Sequence, residues 1–157
     1  MSERIVPVKH ITIASDKKFS AVKSNLERQI PLINQEIFVL LAKGNLDQAQ
    51  KIANGTKLFI FGVRDHGSIL RSVSQQRNAI QYEIGNPLTA LSMTRRKLSA
   101  ALYAPLRVLL FESPNGGSVF EYDLPSSLFG QFHDEEIEKV GSELDSELRS
   151  AIEAALD

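Results

Sequence analysis

The sequence LRVLLFESPNGGSVFEYDL, residues 106–124, carries the strongest indication of the fold. An apolar run precedes Asn115 and Gly116, a pair that readily adopts the positive φ angles of a tight turn. After the turn, Phe120 and Tyr122 alternate with acidic residues, as expected for a strand with one buried face. The stretch therefore predicts a β-hairpin of two antiparallel strands.

Other segments of the chain share this strand-like composition of β-branched, aromatic and alternating apolar residues. The prediction is five strands, near 5–13, 57–63, 79–84, 106–112 and 118–124. The run from Leu58 to Val63 is apolar apart from one glycine. Such a run is typical of a strand that is buried on both faces, which predicts a central position in the sheet.

Apolar residues at helical spacing predict helices before, between and after these strands along the chain. Phe19, Val22 and Leu26 form one stripe, and a longer stripe runs from Ile137 to Ala155. Residues 34–54 contain two short apolar patches separated by a glycine, which predicts two short helices. The resulting fold class is α+β: a two-layer, antiparallel-rich five-stranded sheet packed by helices. A split β-α-β sandwich is the alternative topology.

Composition limits the classes of function. The chain of 157 residues contains no cysteine, which excludes thiolate catalysis and disulfides and fits a cytoplasmic protein. We expect a single domain over 1–157, and the longest apolar run is too short to span a membrane. Net charge is −1, and the basic residues before the acidic last helix are scattered, so a nucleic-acid partner is not expected.

A polar pair, Asp65 and His66, directly follows the apolar run that ends at Val63. Histidine titrates near neutral pH and a carboxylate can orient it, so the pair is a candidate for acid–base chemistry or ligand binding. Sequence neighbours rarely point at each other, however. The alternative is that Asp65 caps the helix that follows, with Ser68 closing its first turn.

The second group of candidates lies at later strand ends. Asn86 precedes Pro87, an arrangement typical of a helix start, and Tyr122 offers an apolar ring with a polar tip. The complete set of candidate ligand-binding residues is Asp65, His66, Asn86, Glu121, Tyr122 and Asp123. The sequence contains no metal-ligand motif, phosphate-binding loop or dinucleotide fingerprint, so no catalytic residue, metal or cofactor is assigned.

Four short motifs together resemble the family called domain of unknown function 302: residues 61–67, 85–87, 104–109 and 121–126. The resemblance covers roughly residues 58–156. It implies a small α+β protein with an antiparallel-rich sheet, often dimeric, and no established activity. The matching motif positions are Asp65, His66, Asn86, Pro87, Pro105, Tyr122 and Asp123. Residues 31–56 depart from the family pattern and are expected to form a helical insertion.

The leading hypothesis is a small cytosolic, homodimeric module that binds an unidentified small molecule or has a structural role. The alternative hypothesis is an enzyme in which His66 acts as general acid or base, assisted by Asp65 or Tyr122. The two differ in a geometric expectation: an enzyme requires His66, Asn86 and Tyr122 to share one concave site.

Overall fold

Five strands form one antiparallel sheet in the computed structural model, which describes residues 1–157. The strands are β1 (His10–Ser15), β2 (Phe59–Asp65), β3 (Ala79–Gly85), β4 (Leu106–Glu112) and β5 (Ser118–Asp123). Their order is β1-β5-β4-β3-β2, and every neighbouring pair is antiparallel. β1 and β2 therefore run in the same direction with three strands between them. The α+β fold class predicted from the sequence is confirmed.

Seven α-helices connect or cover these strands. They are α1 (Phe19–Gln29), α2 (Glu36–Ala42), α3 (Leu46–Ala53), α4 (His66–Arg71), α5 (Pro87–Thr94), α6 (Pro125–Phe129) and α7 (Glu135–Leu156). Two 3₁₀ helices span Leu98–Tyr103 and Gly130–Phe132. α7 begins at the N-cap Asp134, whose carboxylate accepts a hydrogen bond from the Ile137 N–H at 3.3 Å. This cap satisfies one of the free amide groups at the helix start.

The main core lies between one face of the sheet and the helices α1, α6 and α7. Tyr82, Val108 and Tyr122 are paired across β3, β4 and β5, and all three are buried. Leu26 of α1 and Leu148 of α7 have no exposed surface and belong to the same cluster. Burying an aliphatic side chain of this size contributes about 1.5–3 kcal/mol, so this layer provides most of the stabilisation.

The first strand begins later than the sequence predicts. The expectation was a strand near 5–13, whereas β1 starts at His10 and continues to Ser15. Pairing with β5 runs from His10 opposite Asp123 to Ser15 opposite Ser118. Upstream of His10, Pro7 lacks the N–H that a ladder needs. The segment instead passes α6, where the Lys9 N–H donates to the Ser127 hydroxyl at 3.0 Å.

The central position predicted for the strand near 57–63 is wrong, because β2 lies at the edge of the sheet. Its first two residues, Phe59 and Ile60, are nevertheless buried on opposite faces. Ile60 contributes to the main core, whereas Phe59 belongs to a second, smaller cluster on the opposite face. A run of apolar residues indicates burial on two faces, and here the second face is covered by helices outside the main layer.

The second cluster is built by α2 and α3, the helical pair predicted within 34–54. Ile37, Ala49 and Ala53 are buried there against Phe59 of β2. Asn54 ends α3 in the left-handed conformation, with φ of 47°. The pair therefore forms a small layer of its own beside the sheet edge. That residues 31–56 are an insertion relative to the family remains a prediction.

The rest of that sheet face is open to solvent and carries charged side chains. His10 and Asp123 lie opposite each other at one side, and Arg64 pairs with Glu83 at 2.6 Å on the other. Arg107 lies opposite Glu83 in the β3–β4 register and is exposed. Charges of opposite sign thus face one another across neighbouring strands, which favours a solvated sheet face.

Candidate functional site

A cavity of about 420 Å³ lies at the end of the sheet where β3 ends and β4 begins. It is lined by 17 residues, of which 11 are hydrophobic and none is charged. The lining comes from α2, α5, the ends of β3 and β4, residues 104–105 before β4, and single residues of β2, α6 and α7. A concave, mainly apolar space of this size is typical of a small-molecule site.

Asn86 shapes this end of the sheet. Its side-chain oxygen accepts the Leu88 N–H at 2.9 Å and so caps α5, as the sequence predicts, with Pro87 in the first turn. Its side-chain nitrogen donates to the carbonyl oxygens of Thr56 at 2.8 Å and Lys57 at 3.3 Å. Asn86 thus ties the start of α5 to the segment before β2. Since both of its amide hydrogens are used in this way, its role at the cavity is to position α5.

One face of α5 forms a wall of the cavity. Pro87, Ala90, Leu91 and Thr94 stand at the spacing of a single helical face, and all four line the space. The Thr94 hydroxyl donates back to the Ala90 carbonyl at 2.9 Å. The wall is therefore largely apolar along its length, and the hydroxyl hydrogen of Thr94 is already used within the helix.

α2 closes the opposite side and contributes an aromatic residue at the mouth. The Phe38 ring lies 5.8 Å from that of Phe61, with an angle of 70° between the ring planes. Such edge-to-face pairs contribute roughly 0.5–1.5 kcal/mol beyond the burial of their area. Phe38 remains 38% exposed, and Leu41 lies beside it in the lining. Phe38 therefore stands between the cavity and solvent.

Among the six candidates from the sequence, only Asn86 lines this cavity. Asp65 and His66 lie at the other end of β2, because Asp65 pairs with Ile80 whereas Phe59 pairs with Gly85. Six strand residues separate the two ends by about 20 Å. His66 and Asn86 therefore do not face a common space.

Asp65 and His66 are both exposed. The Asp65 carboxylate accepts the Ser68 N–H at 2.9 Å and so caps α4, and the Ser68 hydroxyl donates to the Asp65 carbonyl at 2.7 Å. Asp65 also lies 3.6 Å from the Arg71 guanidinium. The carboxylate is therefore engaged by α4, and the imidazole of His66 has no hydrogen-bond partner in the protein.

Glu121 and Asp123 come together with a residue outside the candidate set, His10. The His10 Nδ1 lies 3.0 Å from Asp123 Oδ1, and its Nε2 lies 3.7 Å from Glu121 Oε2. The hydrogen bond to Asp123 is the main cause that raises the pKa of His10 above its ordinary value. This exposed trio favours a protonated imidazole on the open sheet face. Its sequence signal is the register between β1 and β5, which neither strand reveals by itself.

Tyr122 points the other way, into the main core. Only 3% of the residue is exposed, and its hydroxyl is buried without a hydrogen-bond partner. Burial raises the pKa of Tyr122, and charged residues of α7 such as Arg149 act on it more weakly. Successive strand residues face opposite sides of a sheet, so Tyr122 is separated from Glu121 and Asp123 by the sheet itself.

The structure contains no group of three or more histidine, aspartate or glutamate side chains arranged to hold a metal ion. None of its helices combines the length and the apolar character that crossing a bilayer requires. The cavity beside α5 differs from the other concave features of the surface in its mainly apolar lining. The sequence did not indicate it, because its walls come from distant segments.

Comparisons with known proteins agree with the fold. A family model described as "Domain of unknown function DUF302" matches residues 45–155. A crystal structure of an uncharacterized conserved DUF302 protein from Bacillus stearothermophilus superposes with a TM-score of 0.67. The two chains are 11% identical, and the alignment covers 93% of this chain and 97% of that one. No curated protein matches the chain.

Proposed function

Since the chain belongs to the DUF302 family, whose description assigns no activity, we propose from the geometry of the cavity that it binds a small, largely apolar molecule. The observation that carries this proposal is the cavity of about 420 Å³ between α2 and α5, with 11 hydrophobic residues among 17. The space opens to solvent, since Phe38 and Leu91 of its lining are exposed. Its apolar walls therefore stay in contact with water until a ligand covers them, and covering apolar surface is favourable.

The six residues that the sequence singled out have different roles in this proposal. Asn86 holds α5 in place beside the ligand through its bonds to Thr56, Lys57 and Leu88. The remaining five, Asp65, His66, Glu121, Tyr122 and Asp123, lie outside the cavity lining. The binding residues that we propose instead are apolar and come from α5 and α2.

The test uses phenylnaphthylamine, an uncharged dye whose fluorescence rises in apolar surroundings. We expect saturable binding of one dye per chain. Ala90→Leu places a larger side chain on the α5 wall and should weaken this binding at least about tenfold. The matched control is Ala21→Leu on α1, where the alanine is exposed and outside the cavity. Both variants are first checked for an unchanged circular dichroism spectrum and a cooperative thermal transition.

Two results would contradict the proposal: no saturable binding by the natural chain, or equal weakening by Ala90→Leu and Ala21→Leu. A thermal shift gives a second measurement. A ligand at 100 times its dissociation constant adds about 2.7 kcal/mol to the free energy of unfolding. The same addition should have a smaller effect on Ala90→Leu, because the variant binds less dye at equal concentration.

We also propose that the protein is a cytoplasmic homodimer. The support for the location is the absence of cysteine, and the support for the dimer is the resemblance to a family whose members are often dimeric. Leu98 and Leu102 on the 3₁₀ helix are 80% and 79% exposed, and a second copy would cover them. Light scattering after gel filtration should give a molar mass twice the chain mass of 17.4 kDa. A monomer at every protein concentration would contradict the dimer.

A further inference from the structure

We propose that the molecule bound in the cavity is uncharged and that the hydroxyl of Thr89 is the hydrogen-bonding group that orients it. This inference rests on the proposed binding function and adds the chemical class of the ligand. It predicts a compact apolar body with one hydroxyl, carbonyl or similar neutral polar group.

The first half follows from the absence of charge in the lining. None of the 17 residues around the cavity is charged. An ionised group that leaves water costs several kcal/mol unless an opposite charge or several hydrogen bonds replace its hydration. The closest basic cluster in sequence is Arg95 to Lys97, just beyond the end of α5, and Arg96 is already paired with Asp134 at 2.8 Å. A neutral ligand avoids the desolvation cost altogether.

The second half follows from counting the polar groups that remain available. The three polar side chains in the lining are Asn86, Thr89 and Thr94. Both amide hydrogens of Asn86 are donated to backbone carbonyls, and the hydroxyl hydrogen of Thr94 is donated to Ala90. The Thr89 hydroxyl makes no hydrogen bond within the protein. It is therefore the lining group with both a donor and an acceptor free.

The competing possibility is an anionic amphiphile. Its apolar part would occupy the cavity, and its head group would lie outside against Arg95 or Lys97, which are exposed and take part in no ion pair. Two features disfavour it. These cations stand near the C-terminal end of α5, where the helix dipole disfavours an anion. Contact with exposed lysine and arginine also gains little, because water screens it.

Charge is tested by comparing phenylnaphthylamine with its sulfonated relative, anilinonaphthalene sulfonate, on the same protein. Both carry the same pair of aromatic groups, and the second adds one negative charge. We expect the neutral dye to bind at least about tenfold more tightly, with little dependence on salt. Equal or tighter binding of the sulfonate that weakens with salt would overturn the neutral class and favour the anionic amphiphile.

The role of Thr89 is tested by competition with naphthalene and naphthol, which differ by one hydroxyl and are both neutral at pH 7. The natural chain should prefer naphthol in displacing the dye. Thr89→Val keeps the shape of the side chain and removes its hydroxyl, so the ratio of the two affinities should fall about fivefold. The control Thr12→Val changes an exposed threonine of β1 and should leave this ratio unchanged. An unchanged ratio in Thr89→Val would remove Thr89 from the proposal.

The outcomes distinguish this inference from the function on which it rests. If the natural chain binds neither dye, the binding function itself fails. If it binds the neutral dye and Ala90→Leu weakens that binding while Ala21→Leu does not, the function stands. In that case, equal sulfonate affinity or an unchanged naphthol preference overturns only the corresponding half of the present inference.

Discussion

The hydroxyl of Tyr82 donates to the carboxylate of Glu27 at 3.0 Å, and this contact joins β3 to α1 across the main core. Glu27 also accepts from Lys23 at 2.7 Å, one turn earlier on the same helix. Tyr82 has no exposed surface, whereas Glu27 is half-buried. The hydroxyl of this core tyrosine therefore lies at the edge of the core, where it donates to a charged carboxylate.

Two Tyr→Phe substitutions should have different effects on stability. Tyr82→Phe removes a bond to a charged acceptor and should lower the free energy of unfolding by about 1–2 kcal/mol. Tyr122→Phe removes a buried hydroxyl that has no partner, so it should leave stability unchanged or raise it. Urea denaturation followed by circular dichroism measures both. If both variants lost the same free energy of unfolding, the finding that the Tyr82 hydroxyl has a partner and the Tyr122 hydroxyl has none would be contradicted.

Tyr82 should also make the fold sensitive to alkaline pH. Burial, followed by the hydrogen bond to Glu27, raises the pKa of Tyr82 well above its ordinary value of about 10. The folded chain therefore retains a proton that the unfolded chain releases. Stability from this group is fully present below about pH 10 and falls as pH rises further. Urea midpoints measured between about pH 8 and 11 should decline less in Tyr82→Phe than in the natural chain.

His10 should titrate above its ordinary value of about 6.5. Asp123 is the main cause, so Asp123→Asn should lower the pKa of His10 more than Glu121→Gln does. The distances agree with this order, at 3.0 Å to Asp123 and 3.7 Å to Glu121. Since the folded pKa is raised, the small stabilisation exists below about pH 6.5 and disappears as pH rises through the folded pKa. Proton NMR of the imidazole measures each value, and an equal effect of the two variants would refute the order.

A glycine at the hairpin should tolerate no side chain. A Cβ added at Gly117 would overlap the carbonyl oxygen of Ser15 and approach the Asp16 Cα to 3.2 Å. Because both are backbone atoms, β1 and β5 would have to separate. Gly117→Ala should therefore cost about 1–3 kcal/mol. The control is Gly130→Ala, where nothing lies within 4 Å and the backbone is helical. Urea denaturation should show the loss only in Gly117→Ala.

Gly85 offers a way to narrow the cavity without strain. A Cβ added there would lie 3.6 Å from the Pro105 Cβ and 3.7 Å from the Phe61 Cε2, which is ordinary van der Waals contact. Gly85→Ala should raise stability by about 0.4–1 kcal/mol through the unfolded chain, and it should weaken phenylnaphthylamine binding. Calorimetric melting and dye titration test the two effects. Stronger binding in this variant would contradict the position of the cavity at Gly85.

Elements with local signals could be predicted from the sequence. The hairpin depends on Asn115 and Gly116, and Gly116 has the positive φ of 85° that its turn requires. α7 depends on a stripe of buried residues that repeats along one continuous helix, from Ile137 to Ala155. In both cases the residues that determine the element are neighbours in the chain. Tertiary contacts then reinforce a preference that the segment already has.

The position of β2 and the cavity could not be predicted in this way. Phe59 and Ile60 are buried by different layers, and the sequence shows only that both are apolar. Likewise, Phe38 and Leu106 line one space although 67 residues lie between them in the chain. A cavity forms where separate segments pack against one another, so no single segment of the sequence reveals it. The trio of His10, Glu121 and Asp123 has the same origin, since it depends on strand register.

The exposed edge of β2 carries a further consequence. The Ile60 N–H donates to the Pro31 carbonyl at 2.9 Å, and the Ile60 carbonyl accepts from the Ile33 N–H at 3.0 Å. The register of the β2–β3 pairing shifts between Ile60 and Gly62, and β2 ends with the charged residues Arg64 and Asp65. A free, regular strand edge is a template for intermolecular sheet growth, the first step towards amyloid. The Pro31–Ile33 segment therefore occupies the backbone groups of Ile60 at this apolar edge, which leaves less of the edge free to pair with another chain.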